Sequence, residues 1–231
     1  MEHARTTELG EGCAIVEYQM GPDLLAAAEA AAEEAIPKCE QRPLLKICGR
    51  NVPAPRNYYL ATPPEECQED AMGYAFSGGG AKQKPMGAAM AAFDRAFKAA
   101  AAAHDREMEA NRVLVNHYQD EHEKPKSSIG WHGDTERGLR VGPSGVWMAS
   151  LYRGPSDGRV PRRFLVKNNA TGDGQGVVLA HGAVVVMRGE GFQHKFKHAV
   201  PKVGAKQAAR ERVSFTWRFH TSTGAKRARE E

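Results

Sequence analysis

Apolar positions follow two regimes along the chain. Near the front two runs recur at helical spacing. Asp23 precedes Leu24–Ile36, an Ala/Glu-rich run halted by Pro37, and Pro85 opens a second run that ends near His104. In the second run Met86, Met90, Phe93 and Phe97 follow at steps of four, three and four, which stacks them on one helix face. That stripe predicts a core-facing surface. From Arg112 onward short apolar runs take over: Arg112–Tyr118, Val146–Tyr152, Arg163–Lys167, Gly176–Ala180, Ala183–Met187 and Arg212–Phe219. Turn clusters at 142–145, 154–158 and 171–176 separate several of them. Regularly spaced strands behind a pair of helices predict an α+β chain, a sandwich or jelly roll with the N-terminal helices packed on one sheet.

Composition narrows this only slightly. The 231 residues are 41% hydrophobic and 26% charged, an ordinary soluble balance with room for one sizeable core. No window approaches the roughly 18 uninterrupted apolar residues of a membrane span, and Met1–Gly10 is too polar for the centre of a signal peptide. An intracellular monomer of nucleus or cytoplasm, without a membrane partner, is expected. Cys13, Cys39, Cys48 and Cys67 form no C-x-x-C pair and read as reduced thiols. The net charge is only +4, yet residues 1–49 hold nine acids and four bases while 193–231 hold ten bases and three acids. Such asymmetry points to a polyanionic partner, although a solvated basic face accounts for it equally well. The tail Thr221–Glu231 is polar enough to be disordered.

Two constellations carry candidate chemistry. In Trp131-His132-Gly133-Asp134 an acid follows a histidine by two residues, and in an extended segment that spacing turns both side chains to one side. A third ligand is available in Gln193–Pro201, which holds His194 and His198. Two imidazoles and one carboxylate on one face leave coordination positions open, as in non-haem Fe(II) oxygenases, and zinc accepts the same ligands. The second constellation is Arg212-Val213-Ser214-Phe215-Thr216-Trp217-Arg218. With period two, Arg212, Ser214, Thr216 and Arg218 line one face while Val213, Phe215, Trp217 and Phe219 line the other. Two buried guanidinium groups need anionic partners, and a small dicarboxylate suits the planar fork of arginine. On the strand Arg112–Tyr118, Asn116 and Tyr118 are also cofacial and can donate to the same ligand.

Taken in order, Asn116-His117-Tyr118, His132-Gly133-Asp134, His198, then Arg212 and Arg218 resemble the AlkB-type 2-oxoglutarate/iron(II) dioxygenases over about residues 44–219. Pro55-Arg56, Tyr74-Ala75-Phe76-Ser77-Gly78, Leu179-Ala180-His181-Gly182 and His198-Ala199-Val200-Pro201 extend the likeness toward the eukaryotic nucleic-acid repair branch. The resemblance implies a double-stranded β-helix, or jelly roll, over 44–220. A recognition lid would lie at about 45–85 and an N-terminal extension with a helix at 1–43. It further implies Fe(II) on His132, Asp134 and His198. Arg212 would take the far carboxylate of 2-oxoglutarate and Arg218 the one beside the keto group, with Asn116 and Tyr118 assisting. His194 has no counterpart as a ligand, and His181 lies in a structural turn.

The activity so implied is oxidative demethylation of N-alkylated bases such as 1-methyladenine and 3-methylcytosine in DNA, with release of succinate, carbon dioxide and formaldehyde. A methyl group on a Watson–Crick edge is unreachable inside a duplex, so the base must be flipped out or already single-stranded. By resemblance Tyr74 and Phe76 belong to the lid, with Phe76 stacking the base against His132, and Glu136 accepts from an exocyclic amino group. Arg56, Lys202, Lys206 and Arg210 are candidates for phosphate contacts. The chain departs from the pattern in the long stretch Gln119–Trp131, in Arg153–Arg162, and at Ile47-Cys48-Gly49, where a duplex-repairing member carries an aromatic finger. An RNA or protein demethylase with the same iron chemistry, and a non-catalytic metal-binding β-barrel that binds nucleic acid, are the alternative expectations.

Overall fold

The computed structural model describes residues 1–76, 79–104, 110–119, 127–135, 139–140, 145–154, 158–204 and 209–220; the side chains of 74–76 and 140 are outside that description. In chain order the elements are β1 (Glu2–Gly10), β2 (Cys13–Gln19), α1 (Pro22–Ala35), β3 (Leu44–Ile47), β4 (Arg50–Pro53), β5 (Asn57–Thr62), β6 (Met72–Phe76), β7 (Gly79–Pro85) and α2 (Ala88–Ala102). Then follow β8 (Arg112–Tyr118), β9 (Ile129–His132), β10 (Leu139–Arg140), β11 (Val146–Arg153), β12 (Arg163–Asn168), β13 (Gly174–Val178), β14 (Ala183–Arg188), α3 (Phe192–Lys195), β15 (Phe196–Val200) and β16 (Glu211–His220).

A major sheet runs β1-β2-β14-β11-β16-β8-β5-β7-β6, with β10 on β16. A minor sheet runs β13-β12-β15-β9. The two pack face to face as a jelly roll: Met148, Val185 and Met187 of the major sheet share one apolar cluster with Phe164, Val166 and Val200 of the minor one. On the other face of the major sheet lie α1 and α2. Its central strands are therefore covered on both sides, which is why β11 reads as a nearly unbroken apolar run, whereas β16 alternates because its second face turns to the space between the sheets.

The alternation of β16 decides which side faces which layer. Val213, Phe215 and Trp217 are buried against the helices, where Phe97 stacks on Trp217 at 3.6 Å between centroids and Phe93 meets Phe215 edge-on at 5.1 Å. The stripe Met86, Met90, Phe93 and Phe97 is buried in this cluster as the spacing predicts. Met86 itself precedes the helix, since Pro85 closes β7. Glu34 ties the helices together: its carboxylate accepts the N–H groups of Gly87 and Ala89, both at 2.9 Å, and so caps α2 from α1.

Two expected boundaries give way to different ones. Residues 1–43 do not form an appendage, because β2 pairs with β14 inside the major sheet and α1 completes its helical cover. Nor are residues 45–85 all lid. β5 is buried throughout and hydrogen-bonded between β8 and β7, leaving the hairpins β3–β4 and β6–β7 as the outlying parts. The expected strand Gly176–Ala180 occupies Gly174–Val178. The four cysteines are free thiols. The tail 221–231 lies outside the described residues. Among the described residues no helix is long and apolar enough to cross a membrane.

Candidate active site

Between the sheets lies a cavity of about 670 Å³, of ordinary size for a small-molecule site. The register of the major sheet builds its floor. β16 pairs with β8 so that Arg212 faces Tyr118, Ser214 faces Asn116 and Thr216 faces Leu114. On its other edge Arg212, Ser214 and Thr216 oppose Tyr152, Ser150 and Met148 of β11. The polar face of β16 thus turns toward the minor sheet, and Ser214, Thr216 and Arg218 line the cavity with Asn116 and Tyr118.

The minor sheet supplies the opposite wall. His198 of β15 is the cross-strand partner of His132 at the end of β9, and their rings lie 4.2 Å apart. Asp134 follows β9 and joins them: its Oδ1 is 3.8 Å from His132 Nε2 and its Oδ2 is 3.8 Å from His198 Nε2. One ligand atom from each of the three residues lies within 4.8 Å of the others. His132 Nδ1 is 2.8 Å from the carbonyl of Gly130, a contact that needs the proton on Nδ1 and leaves the Nε2 lone pair toward Asp134. Asp134 Oδ2 and His198 Nδ1 are buried without a hydrogen-bond partner among the described residues.

Electrostatics prepares the same three groups for a cation. Burial pushes the Asp134 carboxyl up, but Arg218, whose Nη2 donates to Oδ1 at 2.6 Å, and the two imidazoles outweigh it and bring the group to about 2. Burial pushes His198 down to about 3 and also lowers His132. At neutral pH the cluster is one carboxylate and two neutral imidazoles, the protonation state a divalent metal requires. A partnerless buried carboxylate oxygen beside two imidazole nitrogens fits an ion there, and the donor set is that of non-haem Fe(II) sites with open positions.

The remaining expected residues divide. Asn116 lies on the floor, its Oδ1 accepting from Arg56 Nε at 2.7 Å. Arg56 is therefore buried inside the cavity and is not a surface contact for phosphate. Arg212 is fully buried, donating to Ser150 Oγ at 2.8 Å, but it does not reach the cavity wall because the Tyr118 ring lies 4.9 Å from its Cζ. Lys202 is exposed, and Arg210 packs over the Tyr152 ring at 4.8 Å. Tyr74 and Phe76 have backbones in β6, with side chains outside the description; Glu136 and Lys206 lie outside the described residues. His194 is exposed on α3, and His181 accepts the Tyr152 N–H at 3.1 Å as part of a turn.

Several residues at the cavity carry no signal that sequence spacing could have revealed. Trp131 forms the lip, 44% exposed, with Lys167 Nζ 4.6 Å from the centre of its ring. Leu45 and Ile47 bring the β3–β4 hairpin to the same opening. Gln193 anchors Asp134 by accepting its backbone N–H at 2.9 Å.

The family model for the 2OG-Fe(II) oxygenase superfamily matches residues 22–218. No curated protein matches the chain. Among solved structures, that of OsALKBH1 aligns with a TM-score of 0.52 at 17% identity, covering 94% of this chain and 100% of the other. A putative oxygenase from Shewanella oneidensis aligns with a TM-score of 0.53 at 12% identity, covering 89% and 81%. A prolyl-4-hydroxylase from Pseudomonas putida gives a TM-score of 0.46 at 18% identity, covering 90% and 92%. The first two likenesses establish the shared jelly-roll fold.

Proposed function

Because the chain belongs to the 2OG-Fe(II) oxygenase superfamily, and so is a dioxygenase that works with Fe(II) and 2-oxoglutarate, we propose that it removes N-methyl groups from nucleobases such as 1-methyladenine and 3-methylcytosine in DNA. In this reading His132, Asp134 and His198 hold the iron. Asn116, Tyr118 and Arg218 line the cosubstrate's place, and Arg212 lends its charge from beside the Tyr118 ring. When bound, the iron would supply an oxidation in which 2-oxoglutarate and dioxygen become succinate and carbon dioxide, with one oxygen atom of dioxygen in succinate and the other inserted into a C–H bond. The hydroxymethyl product breaks at its C–N bond, releasing formaldehyde and returning a proton to the ring nitrogen or exocyclic amine.

The protein's own work is placement. The observation that carries the reading is the division of one cavity into two ends. Guanidinium and amide groups lie along the floor, suited to a dicarboxylate, and Trp131, Leu45 and Ile47 lie at the mouth beside His132, suited to a flat ring. An unstacked base can reach that mouth, so the substrate is single-stranded or flipped. The nucleus or cytoplasm is the matching compartment.

Methylated DNA and RNA oligonucleotides and a methylated peptide, each incubated with enzyme, Fe(II), ascorbate and 2-oxoglutarate, test this by mass spectrometry. DNA should lose 14 Da per methyl group, an arithmetic consequence of replacing about one CH₃ by H, with succinate formed in step. His132→Ala should abolish both. Succinate without loss of methyl from any oligonucleotide would leave the iron chemistry standing and sink the nucleobase assignment; preference for RNA or peptide would move it to that substrate.

A further inference from the structure

Beyond the cavity floor the structure buries two cations that the cluster at His132 does not use. Arg162 is 1% exposed and Arg212 0%. Both sit over the ring of Tyr118, with Cζ 5.6 Å and 4.9 Å from its centre. Neither is in an ion pair with a carboxylate among the described residues. Arg162 Nη2 donates to the backbone carbonyls of Ser127 and Pro201, the latter at 3.0 Å, while Arg212 Nε donates to Ser150 Oγ. Arg162 Nε and Arg212 Nη1 are buried without a hydrogen-bond partner among the described residues. Tyr152 closes the group, since it opposes Arg212 across the strands and its hydroxyl accepts the Arg162 backbone N–H.

A guanidinium keeps its proton, so this pocket holds two like charges in a poorly solvated interior. Burial and the neighbouring Arg212 accordingly push Arg162 below its ordinary value. Backbone carbonyls and ring faces supply only partial charge. Near the three metal-ligand candidates the balance is different, because Arg218 is matched by Asp134 at 2.6 Å. Arg56 adds one cation near His132, so among the described residues the Tyr118 end holds two guanidinium groups without a carboxylate against one at the metal end.

Resting on the 2-oxoglutarate reading, we propose that Arg162 is a positioning residue for the cosubstrate: with Arg212 it forms a two-cation pocket around Tyr118 that sets the affinity for the far carboxylate. Tyr118, which lines the cavity, makes the contact, and Arg212 and Arg162 act from beside its ring through their charge and by holding the ring in place.

Calorimetric titration of the Mn(II)-loaded protein without oxygen tests this with two ligands, 2-oxoglutarate and oxalate, the second occupying only the metal end. Arg162→Gln should weaken 2-oxoglutarate binding by about 10- to 100-fold, the effect of removing one charge about 6–10 Å from the carboxylate at an effective dielectric of about 20, and leave oxalate within about twofold. Arg162→Lys should recover most of the loss. Equal loss of both ligands would make Arg162 merely structural, and unchanged 2-oxoglutarate binding would overturn the proposal. In a second measurement needing no variant, the metal-free wild type should be stabilised in thermal unfolding by glutarate but not by 2-oxobutanoate, which has no far carboxylate. Equal effects of the two would also overturn it. Wild-type protein that binds neither 2-oxoglutarate nor oxalate would defeat the cosubstrate reading itself.

Discussion

Gln193→Leu isolates the support of the metal ligands from the ligands themselves. The wild-type side chain is buried, and its Oε1 accepts the Asp134 N–H at 2.9 Å while its Nε2 reaches Met187 Sδ at 3.6 Å. Leucine keeps nearly the same volume and supplies no acceptor. The Asp134 N–H is then left buried and unpaired, which destabilises the fold by about 1–3 kcal/mol. The carboxylate also loses the anchor that fixes its approach to His132 and His198, and loss of such a support lowers metal affinity by about 10- to 100-fold. Urea denaturation of the metal-free protein reads the first effect, and Mn(II) titration followed by calorimetry or electron paramagnetic resonance reads the second. His194→Ala, one residue on but exposed, is the control and should change stability by no more than about 0.5 kcal/mol. If Gln193→Leu binds Mn(II) within twofold of wild type at unchanged stability, the anchoring argument is wrong.

Stability without metal should fall on mild acidification. His198 and His220 titrate at about 3 and about 4 in the folded chain, burial being the main cause, against 6.5 when unfolded. The unfolded chain therefore binds more protons between these values. Their contribution is complete above about pH 6.5 and is lost as pH falls toward 4 and 3, at on the order of 1.4 kcal/mol per pH unit for each histidine. Asp134 adds nothing between pH 7 and pH 5, because its depressed carboxyl loses stability only below 3.8. Urea midpoints at pH 7 and pH 5 check it; equal midpoints contradict the burial of neutral imidazoles. At the mouth, Trp131 is 44% exposed while Trp147 and Trp217 are 1% and 2% exposed. A methylated single-stranded oligonucleotide should quench one accessible fluorescence component, and Trp131→Ala should remove the quenching and raise the oligonucleotide KM about tenfold, leaving that for 2-oxoglutarate unchanged. Quenching that persists in the variant would place the nucleic acid elsewhere.

The central strands are legible from the sequence because each meets a different layer on each face. Val213, Phe215 and Trp217 alternate with Arg212, Ser214, Thr216 and Arg218, and the fold keeps that division, helices on one side and cavity on the other. Short strands at the margins are not legible in this way. β9 covers only Ile129–His132, and half of what makes it a strand is its pairing with β15, 66 residues away at His132 and His198. β2 is apolar enough to read as a strand, yet its partner β14 begins at Ala183, so nothing local shows that the N-terminal segment belongs to the main sheet. The spacing H-x-D could be read because both side chains sit on one stretch of backbone; the roles of Gln193 and Arg162 could not, since each acts on a residue or carbonyl brought to it only by tertiary packing.

The same packing gives the cavity a direction. At one end Asp134 Oδ1 meets Arg218 while Oδ2 stands beside two neutral imidazoles, so a ligand arriving there gains chiefly by coordination to the metal those groups would hold. At the other end Arg162 and Arg212 hold positive charge that no described carboxylate offsets, and a ligand there gains through charge alone. A keto-diacid has one terminus suited to each: a chelating keto-carboxylate and a simple carboxylate. Reversing it would leave both guanidinium groups facing a chelating group that does not need them and would present the metal ligands with a monodentate carboxylate. In the proposed reading, coordination at one end and charge at the other together orient the cosubstrate along the floor, and the apolar lip at Trp131, Leu45 and Ile47 is the part of the cavity left for the second substrate.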